Sequence, residues 1–267
     1  QSSLYLMEHR FSPKQICRRR RHTLSEILRR FGTSKAEDTA VKLQQYAGKV
    51  IHAPVEYVDT MQLSLAQHVK HIRCLKESVA QMEKEIAVNL AQTQGAFLTS
   101  VRGIGLVLAA GVTAEIGALN QQKSLNNLAS YAGIIPRVKQ TGGIDGITYT
   151  GSVSKRCNHI LKDYVVKSAY HLGLHGPPDL MADYKRRDAS GQHADFGLGR
   201  RYLRMAIGLM RTSQVYLPPN LRKDGYKPEE RASYYLMNWP YLRDKWQKVG
   251  ALEAAFTKNR PLGLWRQ

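Results

Sequence analysis

The chain has 267 residues and a mass of 30.2 kDa, and 40 lysines and arginines against 21 aspartates and glutamates give it a formal charge of +19. This charge argues against a neutral metabolic enzyme and, with a pI near 10.0, favours nucleic acid as the partner. Hydrophobic residues make up 43% of the chain, enough to bury a core in one large or two small domains. No apolar run approaches the roughly 18 residues of a membrane span, and no signal peptide opens the chain, so we expect a soluble protein.

The three cysteines, Cys17, Cys74 and Cys157, are scattered and form no C-x-x-C pair. This pattern argues against a disulfide scaffold and a zinc ribbon, and it favours a reducing cytoplasm. The chain begins with Gln1 and not with Met, so we expect its natural beginning to be missing.

The first fifty residues carry a dense basic cluster centred on Arg18, Arg19, Arg20 and Arg21. Four consecutive arginines repel one another unless an anion such as phosphate neutralises them, so a nucleic-acid contact competes with a solvated helix face as the interpretation. A polar stretch over 32–38 then precedes a short helix predicted near 40–46.

From Val58 onward the apolar residues recur at alternating spacings of three and four, the heptad pattern of a coiled coil between subunits or within an antiparallel hairpin. We call this stripe the seam; its apolar members are Val58, Met61, Leu65, Ile72, Leu75, Val79, Met82 and Ile86. His68 and Asn89 occupy two further seam positions, where polar residues set register. A metal site at His68, His71 and Cys74 is an alternative that lacks an evident fourth ligand.

After Gln94 the composition changes to glycine and small apolar residues. This pattern predicts a helix, a tight turn over Val101–Gly105 and a helix from Leu106 to Ile116. We call Val101–Gly105 the glycine turn. Gly103 and Gly105 let a backbone approach closely, and the next helix offers unpaired N–H groups, so with Arg102 the turn is a candidate for holding a DNA phosphate. An ordinary helix connection explains the spacing equally well.

Two short strands are predicted over 137–140 and 147–150, after a helix over 125–132 and before a helix over 159–172. Another helical region over 195–210 carries Arg200, Arg201 and Arg204. Beyond Pro218 the tail is basic and contains three tryptophans, which we expect to pack against their own domain in preference to stacking on bases.

Ser154 lies between a predicted strand and a predicted helix, and Lys155 and Arg156 follow it directly. We call residues 154–158 the serine loop. One interpretation of Ser154 is a helix N-cap; the other is a nucleophile aimed at phosphorus, with Ser152 as the rival position. His159 has no evident route to Ser154 as a general base, and no His-x-x-Arg motif indicates a tyrosine recombinase.

Several motifs between Phe97 and Leu161 occur in the order found in the C-terminal transposase domain of the insertion sequence 110 family, which this region resembles. They are Val101-Arg-Gly-Ile-Gly105, Ala114-Glu-Ile-Gly117, Tyr131-Ala-Gly-Ile-Ile-Pro136, Gln140-Thr-Gly142 and Val153-Ser-Lys-Arg-Cys-Asn158. The resemblance implies a DNA recombinase guided by a bridge RNA, in which Ser154 attacks a phosphodiester and holds the strand as a phosphoserine. Cys157 stands where the family usually has glycine.

The same resemblance implies an N-terminal RNase-H-like domain whose four carboxylates bind magnesium. Residues 33–40 resemble the end of that domain, with Asp38 at its last carboxylate and Lys35 where the third is expected. Glu37 is a substitute for the third acid, and the first two acids have no counterpart in the chain. Without the resemblance, Asp38 is interpreted as a helix N-cap.

We therefore predict a mainly α chain. Its regions are a basic remnant of an α/β RNase-H-like domain over 1–50, a coiled-coil helix over 51–95, a serine transposase domain with a helix-hairpin-helix-like turn and a small β-hairpin over 96–216, and a basic, aromatic tail over 217–267. Asp38 and Mg²⁺ form the implied metal site.

The nucleic-acid-binding candidates are basic residues and turn glycines in five regions, namely Arg18, Arg19, Arg20, Arg21, Arg102, Gly103, Gly105, Arg137, Lys155, Arg156, Arg200, Arg201 and Arg204. The expected partners are DNA, a bridge RNA and further copies of the chain in a dimer or tetramer, in the bacterial cytoplasm at the nucleoid. A non-catalytic nucleic-acid-binding relative that has lost its metal site, and a basic RNA-binding scaffold, are the alternatives.

Overall fold

The computed structural model describes residues 2–50, 55–117, 125–141, 147–153, 155–191, 193–221 and 228–265, and it is mainly helical. The α-helices and strands in chain order are α1 Ser2–Glu8, α2 Pro13–Arg18, α3 Arg21–Arg30, α4 Ala36–Lys49, α5 Val55–Leu90, α6 Leu106–Ile116, α7 Leu125–Tyr131, β1 Pro136–Thr141, β2 Ile147–Val153, α8 His159–His175, α9 Pro178–Ala189, α10 Ala194–Thr212, α11 Pro228–Lys248, α12 Leu252–Phe256 and α13 Pro261–Trp265. Short 3-10 helices span Gln94–Ser100 and Pro219–Leu221. Among the described residues no helix is both long enough and apolar enough to cross a membrane.

The chain divides into two compact units, Gln1–Ala80 and Gln81–Gln267, with the boundary inside α5. In the first unit, α2 begins behind a capping box in which the Ser12 side chain accepts from the Gln15 N–H and the Gln15 side chain accepts from the Ser12 N–H. Leu24 and Leu28 of α3 pack against Ala36 and Ala40 of α4 in a small core.

The N-terminal fifty residues contain helices and no strand over the described range 2–50, so the predicted remnant of an α/β domain is not supported. The physical reason is visible in the spacing: the buried apolar residues of α3 and α4 lie four or seven residues apart, which fits one face of a helix, and they do not alternate as strand residues do. The short helix predicted near 40–46 runs over Ala36–Lys49.

The long helix predicted from the seam is confirmed as α5, which has 36 residues. Six seam residues, Met61, Leu65, Ile72, Leu75, Val79 and Met82, are exposed in the single chain. Off the seam, Ala66 and Val69 are buried in the first unit and Ala87 and Leu90 in the second. The face of α5 that carries the heptad pattern is therefore distinct from the faces that pack within the chain.

The second unit is built around α6 and α8, which run antiparallel. A Cβ placed on Gly111 of α6 would lie 2.4 Å from the Tyr164 ring of α8, and Asn158, just before α8, contacts Glu115 near the end of α6. The helix predicted over 106–116 is confirmed, and the helix predicted over 159–172 continues to His175.

Helix α10 packs against α8 and α9 and completes this core. Gly199 of α10 lies against Val165 of α8, where an added Cβ would be 3.0 Å from Val165 Cγ1. Tyr202 and Leu203 of α10 are fully buried in the same core, as is Trp246 of α11.

The segments Pro136–Thr141 and Ile147–Val153 pair as antiparallel strands, with an irregular register between Pro136 and Val138. Both are longer than the strands predicted over 137–140 and 147–150, and β2 ends at Val153, immediately before the serine loop. Side chains over 136–152 lie outside the described part of the structure.

The tail beyond 217 is an integral part of the second unit. Trp246 is fully buried and Trp239 packs edge-on against Phe256 with ring centroids 4.9 Å apart, so the prediction that these tryptophans pack is confirmed for both. The Trp265 side chain lies outside the described residues.

Gly173 provides a test of this packing. A Cβ at Gly173 would lie 2.4 Å from Tyr184 Cγ, and the Tyr184 hydroxyl donates to Asp195 at 3.0 Å, so the ring is held at both ends. We expect Gly173→Ala to destabilise the protein by about 1–3 kcal/mol in urea unfolding. Gly208→Ala is the matched control, because nothing lies within 4 Å of its added Cβ, and we expect it to stabilise α10 by up to about 1 kcal/mol. Equal effects of the two variants would contradict this account of the α8–α9 contact.

Candidate nucleic-acid interface

The glycine turn joins the 3-10 helix Gln94–Ser100 to α6, and Gly103 fits it for a reason internal to the protein. Its φ of 92° lies in the region that favours glycine. An added Cβ would also lie 3.0 Å from the His171 carbonyl oxygen and 3.3 Å from the Gly176 nitrogen, at the C-terminal end of α8. The space beside Gly103 is therefore filled by the protein's own backbone and not by a ligand.

The open side of the turn carries Arg102 and Gly105, which are both exposed. Gly105 is the N-cap of α6, and nothing lies within 4 Å of the place where its Cβ would be. Approach of a ligand backbone, predicted for both glycines, is sterically open at Gly105 alone.

Helix α11 holds the turn from inside, an interaction that sequence analysis did not find. The Lys245 ammonium donates to three backbone carbonyls, those of Thr99 at 2.7 Å, Val101 at 3.2 Å and Ile104 at 2.7 Å. The only sequence signal is a lysine in an aromatic-rich helix, and nothing in that pattern identifies carbonyls more than a hundred residues earlier as its partners.

Burial lowers the pKa of Lys245 to about 7. Because this folded value lies below the ordinary 10.5, the unfolded chain binds the proton more tightly over that range. Burial of the charged lysine therefore lowers the free energy of unfolding by its full amount below about pH 7, and this destabilisation declines as the pH rises toward 10.5.

Tyr241, one helical turn before Lys245, completes the contact between α11 and the turn. Its hydroxyl oxygen accepts from the Gly103 N–H at 3.3 Å. The Lys245 Nζ lies 4.3 Å from the Tyr241 ring centroid, and the Arg102 Cζ lies 5.9 Å from it. The aromatic ring thus contacts both the buried and the exposed cation of this region.

The serine loop leads into α8 through Asn158, which is the N-cap of that helix. The Asn158 side-chain oxygen accepts from the Leu161 N–H at 2.9 Å, and its amide nitrogen donates to Glu115 at 2.7 Å and to the Tyr131 hydroxyl at 2.8 Å. The N-cap interpretation of Ser154 is therefore wrong, because α8 begins at His159. Ser154 itself lies outside the described residues.

The rest of the serine loop is basic and accessible. Lys155 and Arg156 are exposed, and Arg156 makes further contacts within the chain. His159 is the first residue of α8, and its Nδ1 lies 3.9 Å from Cys157 Sγ. The Arg137 side chain, on β1, lies outside the described part.

The glycine turn and the serine loop lie at opposite ends of the α6–α8 pair. Gly103 packs against the C-terminal end of α8, whereas Asn158 precedes its N-terminal end. The 17 residues of α8 span about 25 Å at 1.5 Å per residue. Arg102, Gly103 and Gly105 are therefore too far from Lys155 and Arg156 for a single phosphate to contact both places.

Part of the positive charge near α10 is neutralised inside the protein. Asp183 is buried; Arg186 bonds one carboxylate oxygen, Arg187 bonds the same oxygen at 3.2 Å, and Arg201 bonds the other at 3.2 Å. Burial alone raises the pKa of Asp183, but the hydrogen bonds from Arg186 and Arg201 outweigh it and hold the pKa below its usual range. Arg201 also bonds Asp179 at 2.7 Å, so its guanidinium already has two anionic partners.

The other predicted arginines of α10 are more accessible. Arg200 is exposed and donates to Asn126 of α7 at 3.0 Å. Arg204 is exposed and lines a groove of about 490 Å³. Met205, Leu209 and Val215 form part of the apolar wall of that groove.

In the first unit the arginine cluster lies at the junction of α2 and α3, and all four side chains are exposed. The Arg19 guanidinium lies 4.5 Å from the Phe11 ring centroid, and Arg21 donates to the Gln44 side chain at 3.3 Å. The cluster thus has a fixed backbone and accessible charge, which suits either interpretation given above.

Residues 95–185 match the model of the transposase IS116/IS110/IS902 family. This transposase-family region covers about a third of the chain and includes the glycine turn, α6, α7, both strands, the serine loop, α8 and most of α9. It supports a DNA transposase or recombinase. No curated protein matches the chain.

The magnesium site implied at Asp38 does not fit the described residues. Asp38 is exposed in the first turn of α4, whose N-cap is Lys35, so the N-cap interpretation of Asp38 is also wrong. The neighbouring Glu37 forms an ion pair with Arg29. Over the ranges that the structure describes, no group of three or more His, Cys, Asp and Glu side chains is arranged to hold a metal ion, which also argues against the alternative at His68, His71 and Cys74.

Asn158 allows the anchoring of the serine loop to be tested. In Asn158→Asp the cap to the Leu161 N–H is retained, but the donations to Glu115 and Tyr131 are lost and a second carboxylate faces Glu115. We expect a loss of about 1–3 kcal/mol in the free energy of unfolding, measured by urea denaturation. The double variant with Glu115→Gln should recover part of that loss, and a fully stable Asn158→Asp single variant would show that these contacts do not hold the loop.

Proposed function

We propose that the protein is a DNA transposase that cleaves and rejoins strands through Ser154, guided by a bridge RNA. The observation that carries the proposal is the match of residues 95–185 to a transposase family, a range that contains Ser154. The charge of +19 and the exposed Lys155 and Arg156 beside that serine provide the electrostatic setting that a phosphodiester substrate requires.

In this proposal the Ser154 Oγ forms a bond to phosphorus while the bond from phosphorus to one deoxyribose oxygen breaks. The serine proton passes to water, and the departing oxygen takes a proton. The reverse reaction, in which a hydroxyl of a partner strand attacks the phosphoserine, regenerates the serine and joins the strands. Lys155 and Arg156 would stabilise the additional negative charge on phosphorus in both transition states.

Guidance by RNA would divide the basic surface between two polyanions. The arginine cluster of the first unit and the serine loop of the second are separate basic regions of the sequence, each exposed within its own unit. We assign the serine loop to DNA and propose the cluster at Arg18, Arg19, Arg20 and Arg21 for RNA phosphates. Sequencing of RNA that co-purifies with the full chain tests this assignment, and loss of that RNA in a variant with all four arginines replaced by alanine is the expected result.

The second candidate function is nucleic-acid binding without catalysis. It is favoured by the exposed Asp38, whose neighbouring acid Glu37 is already paired with Arg29, so that the described residues do not assemble the acid set of a metal site. This candidate predicts salt-dependent binding to DNA or RNA with no covalent protein–DNA adduct.

Ser154→Ala decides between these candidates. We expect strand exchange and the covalent adduct recovered from denaturing gels to fall by at least about a thousandfold, because the attacking oxygen is gone. Ser152→Ala is the matched control, two residues earlier, and should keep both activities. Retention of the adduct in Ser154→Ala would overturn the assignment, and its loss only in Ser152→Ala would transfer the role to Ser152.

We further propose that the seam of α5 brings copies of the chain together as a homo-oligomeric coiled coil. An exposed heptad stripe in a single chain leaves apolar area that a second copy of the same helix would cover. A dimer or tetramer would place two or more serine loops in one complex, as an exchange of strands requires.

Leu75→Glu tests the coiled coil, because Leu75 is a seam residue that is 64% exposed in the single chain. We expect light scattering to show a shift of this variant toward the monomer, because assembly through the seam would bury the glutamate carboxylate among apolar side chains of the facing helix. Leu63→Glu is the control, as Leu63 is on α5, exposed and off the seam, and it should keep the mass of the native protein. Equal masses for both variants and the native chain would contradict assembly through the seam.

A further inference from the structure

We propose that the glycine turn is a second DNA-phosphate contact, separate from the serine loop, and that Lys245 is the residue that positions it. The inference rests on the proposed function, since it assumes that the second unit binds DNA. It adds a site about 25 Å from the serine loop and assigns a role to α11, which lies outside the matched family region.

The direction of the peptide groups in the turn carries the argument. In a planar trans peptide the carbonyl of one residue points opposite to the N–H of the next. Because the carbonyls of Val101 and Ile104 accept from the Lys245 ammonium, the N–H groups of Arg102 and Gly105 point away from Lys245. Lys245 thus defines an inner side of the turn, toward which the carbonyls of Val101 and Ile104 point, and an outer side, toward which the N–H groups of Arg102 and Gly105 point.

The outer side has the chemistry of a phosphate site. Arg102 and Gly105 are exposed, and within the described part of the chain neither of their N–H groups has a hydrogen-bond acceptor. The Arg102 guanidinium adds a full charge next to these donors, and α6, which starts directly after Gly105, adds the positive end of its dipole. Backbone donors with one arginine read no base sequence, which suits a phosphate of any DNA.

Tyr241 fixes a further amide of the turn. Its hydroxyl accepts from the Gly103 N–H at 3.3 Å, while the N–H groups of Val101 and Ile104 donate to the carbonyls of Leu98 and Val101. With Lys245 on the carbonyls and Tyr241 on Gly103, α11 determines the backbone direction throughout the turn, and the packing of Gly103 on the end of α8 keeps the turn at a fixed distance from the serine loop.

The distance between the two contacts determines how long a DNA duplex must be to reach both. A distance of about 25 Å corresponds to about seven base pairs at 3.4 Å each. One duplex can therefore occupy the serine loop and the glycine turn together only if it is longer than that. Binding to a long duplex should gain from both contacts, whereas a short duplex can use one at a time.

The experiment compares two DNA stems closed by the same loop, of about six and about sixteen base pairs or roughly 20 and 54 Å. The RNase-treated full chain binds each stem, and the measured quantity is the ratio of the two affinities. We expect the native chain to prefer the long stem by at least about tenfold. Lys245→Met and Arg102→Ala should lose most of that preference.

Lys248→Met is the matched control, because it replaces a lysine of the same helix at an exposed position paired with Asp244. It should keep the native ratio. A purely structural role for Lys245 would reduce the folded fraction and weaken both stems alike, leaving the ratio unchanged. If circular dichroism shows that Lys245→Met is unfolded, Lys245→Gln replaces it, since its neutral amide can still donate to part of the carbonyl set; its ratio is expected between those of Lys245→Met and the native chain.

Each outcome is decisive. A native ratio in the folded Lys245 variant, with a reduced ratio in Arg102→Ala, overturns the role of Lys245. Native ratios in both variants overturn the second contact. Failure of the proposed function is seen separately, as unaltered strand exchange in Ser154→Ala, and because the binding ratio needs no cleavage it tests the second contact in that case too.

Discussion

The antiparallel contact between α6 and α8 is the constraint on which the second unit depends. It is close because Gly111 leaves room for the Tyr164 ring, and it is pinned at one end by Asn158 on Glu115 and at the other by Gly103 on the end of α8. Both basic features of the transposase-family region lie at the ends of this pair. Their separation is therefore set by the length of a helix and not by the conformation of a loop.

The formal net charge is larger than the positive charge that is accessible to a nucleic acid. Arg186, Arg187 and Arg201 surround the buried Asp183, and Lys245 is used on backbone carbonyls. The accessible candidate cations are local: they lie at the junction of α2 and α3, on the open side of the glycine turn, in the serine loop and, as Arg200 and Arg204, on α10. A nucleic acid would therefore contact discrete basic clusters on a surface of mixed charge, and it would not bind equally well over the whole protein.

Sequence patterns predicted the elements whose evidence is periodic and local. The seam predicted the position of α5, and the apolar run with its flanking glycines predicted both ends of α6 correctly. Over residues 2–50 the family resemblance suggested an α/β remnant, although Leu24 and Leu28 of α3, like Ala36 and Ala40 of α4, are spaced four residues apart as on one face of a helix.

The site was harder to predict than the fold, because its decisive contacts join residues that are distant in sequence. Ser154 and Asp38 each precede or open a helix, which made the N-cap interpretation attractive, yet the caps belong to Asn158 and Lys35. The order of the motifs along the chain does not show how far the glycine turn lies from the serine loop. Only the packing of Gly103 on the far end of α8 shows that they are separate.

The hold of Lys245 on the glycine turn also bears on how this domain can be dissected. The region that matches the family ends at residue 185, whereas the lysine that orders its first turn belongs to a helix that ends at Lys248. A fragment cut at the family boundary would leave the carbonyls of Thr99, Val101 and Ile104 without their donor and would expose the pocket that Trp246 fills. The smallest fragment able to reproduce the native turn must therefore retain α11. The region that matches the family is thus shorter than the part of the chain needed to form its own first turn.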